Sequence, residues 1–337
     1  MIDSQTIAEF LTYADWGREQ LTGLAAELSD EQLDRQFEIG LGSLRATLKH
    51  NYLAELLWAQ RLGVPGWQEL PPADRLAAPA DIAANNRALA AACGTWFRAL
   101  PADALRRSVA YVDLAGNSQT HTVGDALFGM CNHGVHHRTQ ALNMLRQLGR
   151  TLPRPGIDYI LMRLHSQAEP PLPSVAALRR LFAYGDWATC RLFVAAESLA
   201  GEQLDRPFEM GLGTLRATLR HICDAEQWWF GNWTGGPELF PAPAERPDVA
   251  EIRARFADTA RRRNEFLGGL SGVDELRRVV AARPRPDVSV TFPLSVTMLQ
   301  LCVHGTHHRA QAVNMLRRLD RPGPGVGYLT FARETPA

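Results

Sequence analysis

The sequence predicts an all-α protein built as two four-helix bundles in tandem. Three observations carry this expectation. The chain repeats itself at one constant offset. Each repeat holds four amphipathic segments of about 20 residues, the pattern of an antiparallel bundle. Finally, 337 residues exceed what one ordinary helical core covers.

The repeat comes first, because it sets the architecture. YADW at 13–16 recurs as YGDW at 184–187, and EQLDRQFEIGLGSLRATLKH at 31–50 recurs as EQLDRPFEMGLGTLRATLRH at 202–221. CNHGVHHRTQALNMLR at 131–146 recurs as CVHGTHHRAQAVNMLR at 302–317. The offset is always 171 residues, the separation of Tyr13 from Tyr184. Beyond Arg146 the second copy is slightly shorter, and Pro155, Gly156 and Tyr159 align with Pro324, Gly325 and Tyr328. A period this long describes whole domains and not a solenoid. The Pro-rich stretch SQAEPPLP at 166–173 reads as a linker between domains at 1–165 and 174–337. The short linker predicts that the copies pack as an internal dimer about a pseudo-two-fold axis, with the whole chain a monomer.

Within copy one, helices are expected over 4–28, 43–62, 81–100 and 123–148. Ser43 and Ser174 are placed as N-caps. Pro79 and Pro101 bracket the third helix, and Gly149 follows the fourth as its C′ residue. VAYVDLAGNSQTHT, before the fourth helix, is read as a short hairpin turning at Gly116-Asn117. The Pro- and Gly-rich loops at 63–80 and 234–248 differ between copies and are candidates for shaping a pocket mouth.

Composition excludes several classes. There are 36 basic and 36 acidic side chains, so the formal charge is zero and no nucleic-acid partner is expected. No apolar run of about 18 residues suggests a membrane span. The opening MIDSQTIAEF has no basic leader and apolar core, and the expected location is cytoplasmic. The five cysteines, Cys93, Cys131, Cys190, Cys223 and Cys302, contain no Cys-x-x-Cys and all five read as reduced thiols acting as small buried hydrophobes.

The histidines carry the chemistry. Eight of ten occupy equivalent places: His50, His133, His136 and His137 against His221, His304, His307 and His308. His121 and His165 have no counterpart. On a helix, His133 and His137 stand about 40° apart, the spacing with which two imidazoles grip one ion. His137 lies on the apolar stripe of Val123, Leu127, Met130, Gly134, Ala141, Met144 and Leu148, with His133 beside it, whereas His136 falls toward the polar side. His50 shares an inward face with Ala46, Leu53, Ala54 and Leu57, and small neighbours leave room against its ring. A lone inward histidine is more often a hydrogen-bonded core residue than a ligand. Three neutral imidazoles with no fourth protein ligand would describe an open divalent-metal site, with zinc as first choice and nickel or another first-row ion as the alternative.

A histidine late in the second helix, followed by H-x-x-H-H-R-x-Q on the fourth, resembles the DinB family of metal-binding four-helix bundles, which is unrelated to the DNA polymerase of that name. The resemblance covers nearly the whole chain, twice. It implies ligand triads of His50, His133 and His137 and of His221, His304 and His308. Arg138, Gln140, Arg309 and Gln311 also match the family pattern. With His136, His307 and Asp158, they are candidates to support the ligands from behind. Relatives include bacillithiol-, mycothiol- and glutathione-using transferases and a mycothiol-dependent maleylpyruvate isomerase. The implied activity is therefore a thiol transferase or isomerase, or a metal-dependent hydrolase, acting on a small molecule with a low-molecular-weight thiol as co-substrate. Asp158 has Gly327 as its counterpart, which makes the second site the expected weaker one.

Other constellations read as structural. Glu55 and Glu226 follow the helix-two histidines by about 140° of rotation and suit an inter-helix polar contact better than a general base. Tyr13, Asp15 and Trp16 read as packing. Gly40 and Gly42 read as turn geometry without a phosphate loop, and Cys131 and Cys302 face away from the histidines. Three functions stay open: an enzyme, a metal-binding module without turnover, and a structural bundle with one degenerate site.

Overall fold

The computed structural model describes residues 2–67, 69, 71–72, 76–101, 103–150, 156–236, 238–241 and 246–336. The chain divides into two compact units, Met1–Ile157 with Gly327–Ala337 and Asp158–Val326. Each is mainly helical and carries one small hairpin.

Unit one contains α1 (Ser4–Ala25), the short α2 (Asp30–Asp34), α3 (Leu44–Leu62) and α4 (Pro79–Arg98). The strands β1 (Ser108–Val112) and β2 (Ser118–Thr122) follow, then α5 (Val123–Gln147). Local chemistry fixes the ends. The Asp3 carboxylate accepts from Thr6 N at 2.8 Å and starts α1. Ser43 accepts from Ala46 N at 3.2 Å and starts α3. Thr122 accepts from Asp125 N at 3.0 Å and starts α5. Gly63 and Gly149 end α3 and α5 at φ 75° and 73°, where an L side chain would be strained. The hairpin turns at Asp113–Asn117, with the Asp113 carboxylate accepting from Ala115 N and Asn117 N at 2.9 Å. The capping box of Ser29 and Gln32 makes α2 a separate short helix that the periodicity did not reveal.

α1 and α3 each pack against α4 and α5, closing a four-helix ring. Its core includes Phe10 and Leu21 of α1, Leu48 and Leu56 of α3, Ile82 and Leu89 of α4, and Leu127 and Leu145 of α5. A buried ion pair crosses it, in which Arg18 of α1 donates to Asp15 and Glu55. This is the inter-helix contact expected of Glu55.

After α6 (Tyr159–His165), unit two repeats the plan with α7 (Val175–Ala196), the short α8 (Gly201–Leu204), α9 (Leu215–Thr234) and α10 (Val249–Gly269). β3 (Val279–Arg285) and β4 (Val288–Pro293) then lead into α11 (Leu294–Arg318). Ser174 caps α7 as expected, accepting from Ala177 N at 3.1 Å. The ion pair is kept, but its guanidinium comes from a different helix. Arg263 of α10 reaches Glu226 and Asp186, both at 2.6 Å, while Thr189 stands where Arg18 does in unit one.

The compact units part from the sequence repeats at their ends. The last helix, α12 (Tyr328–Glu334), docks on α5 of unit one. There the Tyr328 ring lies 4.5 Å from Phe128 and its hydroxyl donates to Asp125 at 2.6 Å. Gly129 is the clearance for this docking, because a Cβ there would stand 2.7 Å from the Leu329 side chain. His121 pairs with the Leu329 carbonyl at 3.0 Å, a structural role. In unit two the matching place on α11 is filled by α6, whose Ile160 N donates to Gln300 at 2.9 Å. Seven-residue helices have little stability alone, and each gains it by burying its apolar face on a histidine-bearing helix. Among the described residues, no helix is long and apolar enough to cross a membrane.

Candidate metal centre

Each unit brings three imidazoles together. His50 projects from α3, and His133 and His137 from consecutive turns of α5. His50 Nε2 faces His133 Nε2 at 3.1 Å, and the His137 ring centre lies 4.4 Å from both others. In unit two His221 Nε2 faces His304 Nε2 at 2.9 Å, with the His308 ring centre 4.5 and 4.4 Å from the other two. In each trio, one nitrogen per residue lies within 4.8 Å of the others.

The third histidine of each trio is held from behind. A glutamine oxygen can only accept, so His137 carries its proton on Nδ1 and donates to Gln140 Oε1 at 2.9 Å. That choice leaves the His137 Nε2 lone pair free. The same amide donates to His136 Nε2 at 3.0 Å, which places His136 beside the trio and not in it. Gln311 repeats both contacts with His308 and His307, at 2.9 and 3.0 Å. Space for these amides comes from the turn before the histidine-bearing α3 or α9. A Cβ on Gly40 would stand 2.3 Å from Gln140 Oε1, and one on Gly211 would stand 2.5 Å from Gln311 Oε1. Sequence reasoning gave these glycines only a turn role. The signal available was the pairing of EIGLG and EMGLG with a glutamine three residues after the last histidine, in both copies.

Electrostatics favour neutral ligands. Burial lowers His50 below the usual imidazole range. Burial, then His50 and His136, hold His133 down to about 4. Burial and the neighbouring rings hold His137 down to about 2 and His221 down to about 3, and push His308 well below its ordinary value. These shifts all favour the neutral ring, the form that can ligate a metal.

The donor set fits a divalent ion. Zinc–imidazole bonds of about 2.0–2.1 Å place tetrahedral ligand nitrogens about 3.3 Å apart, close to the facing Nε2 pairs. No cysteine belongs to either trio, and the expectation that all five are buried is corrected: Cys131 and Cys223 are buried, Cys93 and Cys302 half-buried, and Cys190 is exposed, on the outer face of α7. Burial pushes Cys131 and Cys223 up to about 12 and raises Cys302 further, keeping them as thiols.

With this geometry in place, comparison with known proteins is specific. The profile described as DinB family matches residues 1–170 and 174–336. The chain belongs to the DinB family. No curated protein and no solved structure matches it. The two DinB repeats therefore each bring their own histidine trio, on the same two helices.

The remaining candidates of the DinB pattern fall elsewhere. Arg138 is 1% exposed and stacks over Tyr13 at 5.1 Å, in space left by Gly17 and Gly134. Among the described residues its three nitrogens have no hydrogen-bond acceptor. Arg309 sits alike over Tyr184 but donates to Thr306 at 2.9 Å. Both arginines serve packing, and neither has a hydrogen bond to the trio. Asp158 reverses the expectation drawn from the sequence. It lies in unit two at the start of α6, with Oδ1 3.4 Å from His304 Nδ1, so its carboxylate belongs to the second site and not to the first. Although burial raises its carboxyl, the imidazoles of His304, His307 and His221 hold it down to about 2. Its side chain makes no capping bond to α6.

One residue of the loops that differ between the copies reaches a trio. Phe240, from the 234–248 loop, lies 5.4 Å from the His221 ring and 5.4 Å from Trp228. Residues 68, 70 and 73–75 of the 63–80 loop, together with Pro155, lie outside the described residues. A cavity of about 550 Å³ between α1 and α4 is lined by Asp15, Arg18, Glu55, Asn86 and Cys93, among others, and by none of the histidines. Its polar floor is the ion pair already accounted for, so the candidate chemistry rests with the trios.

Proposed function

We propose that each repeat holds one divalent ion, on His50, His133 and His137 and on His221, His304 and His308, and that the protein is a metal-dependent enzyme of the thiol transferase, isomerase or hydrolase type. What supports this most is the combination of facing Nε2 atoms with a glutamine fixed on Nδ1 of the third ring. A core histidine needs hydrogen-bond partners. It has no need of two further imidazoles facing the same point, twice over. Zinc suits three neutral imidazoles, and nickel is the alternative. When bound in such an open set, the ion supplies Lewis acidity toward a thiol or water.

The chain's own contribution is orientation. Gln140 and Gln311 fix ring tautomers, and Phe240, itself packed on Trp228, lies against the His221 ring. The buried cysteines stay protonated, so a reacting thiol would arrive as a low-molecular-weight co-substrate. The test is to screen zinc-loaded protein with such thiols and electrophilic acceptors, and separately with ester and amide substrates. Turnover lost on chelation and in a His137→Ala/His308→Ala double variant is the expected result. Bound ion without turnover in either screen would leave a metal-binding module.

A further inference from the structure

The two sites share their trios and differ behind them. In unit two the carboxylate of Asp158 lies 3.4 Å from His304 Nδ1, on the opposite edge of the ring from the Nε2 that faces His221 at 2.9 Å. Asp158 belongs to the first repeat and reaches this place because α6 docks on α11. In unit one α12 docks on α5 in the matching way, and the residue at its N-cap is Gly327. The docking of α6 therefore delivers a carboxylate to the second site, whereas the residue at the matching position before α12 is a glycine with no side chain to offer.

We infer that Asp158 is a positioning residue for His304, and that it makes the second site the tighter of two unequal metal sites. This rests on the reading of the trios as metal ligands. A carboxylate accepting from Nδ1–H fixes the tautomer that presents Nε2 to the ion, and it raises the basicity of that nitrogen. It also adds a negative charge next to an otherwise neutral donor set. Losing such a partner costs about 10–100-fold in metal affinity. The first site lacks that contribution and has no aromatic counterpart to Trp228, because Leu57 stands at the matching position. The first repeat thus supplies a residue to the second site, and loading becomes sequential as free metal rises.

The first site is also open to repair. Gly327 has φ −69° and ψ 143°, ordinary for any residue, and a Cβ there would meet nothing within 4 Å. The experiment is a competitive zinc titration against a chromophoric chelator, on wild type, Asp158→Asn and Gly327→Asp. His137→Ala and His308→Ala backgrounds isolate one site each, and the melting temperature of the metal-free protein is the control for folding. The expected wild-type result is two classes of site at least tenfold apart, the tight class lost in His308→Ala. Asp158→Asn should weaken that class at least tenfold with the metal-free melt unchanged, and Gly327→Asp should tighten the first site. Two ions bound at equal affinity, or a tight class insensitive to Asp158→Asn, would overturn this inference while leaving the metal reading intact. Binding of no ion by any variant would overturn both.

Discussion

Gln140 and Gln311 each serve two histidines at once, and each depends on a glycine from a distant segment. Gly40 has φ 53° and Gly211 the same, so an alanine at either would suffer left-handed strain of about 1–2 kcal/mol. It would also push the amide off its histidine. Gly40→Ala should therefore lower stability and weaken zinc binding at the first site. Gly63→Ala meets the same kind of strain, at φ 75°, in open space. It should lower stability alone. Thermal melts paired with zinc titration separate the two effects, and equal zinc affinity in both variants would contradict the role given to Gly40. The histidines themselves were legible from sequence, because one helical turn sets where i and i+4 side chains go. The glycine–glutamine contact was not, since it joins segments 100 residues apart in sequence.

The same imidazoles set a pH dependence. In the folded metal-free protein, His133, His137 and His221 are held down to about 4, 2 and 3, against about 6.5 in an unfolded chain. Below pH 6.5 the unfolded chain takes up protons that the folded one refuses, so the free energy of unfolding falls as pH falls. Stability should be level from about pH 8 to 6.5 and decline steadily from 6.5 toward 4. Replacing His133 and His137 with Gln should flatten that decline. Denaturant melts across this range check the sign, and rising stability on acidification would contradict it.

At the scale of the elements, the paired helices reveal what one copy solves and the other leaves undone. Arg309 on α11 has Thr306 as acceptor, and Thr306 in turn donates to the Cys302 carbonyl at 3.2 Å. Its counterpart Arg138 on α5 has Val135 at that place, buried and unable to accept. Val135→Thr changes little volume and brings both contacts with it. It should stabilise unit one by about 1 kcal/mol, the net worth of one such bond. A higher urea midpoint at unchanged slope is the expected reading, and a lower midpoint would contradict it. The long helices were legible because their apolar stripes and caps are local. The move of the ion-pair arginine from α1 in one unit to α10 in the other was not, since each arginine looks like a solvated charge until its packing partner is known.

At the scale of the whole molecule, the repeat was visible as sequence identity, but its compact units follow packing. A repeat comparison pairs Asp158 with the histidines of its own copy, whereas helix docking pairs it with the other copy's. That is why the carboxylate lies beside the second copy's histidines and not where the repeat comparison put it. The same exchange predicts what truncation does. Deleting residues 327–337 removes Tyr328 and Phe331, which are buried, from α5. Amide exchange should quicken along α5 and stay unchanged along α11. Equal loosening of both helices would contradict the assignment of α12 to unit one.

The measurement that bears most directly on the central claim is zinc stoichiometry at neutral pH, by elemental analysis of untagged protein reconstituted with excess ion. Wild type should retain two ions per chain, and His136→Ala should retain two as well. His137→Ala and His308→Ala should each retain one, and the double variant none. A wild type that retains no ion, or a His136→Ala that loses one while His137→Ala keeps both, would contradict the account.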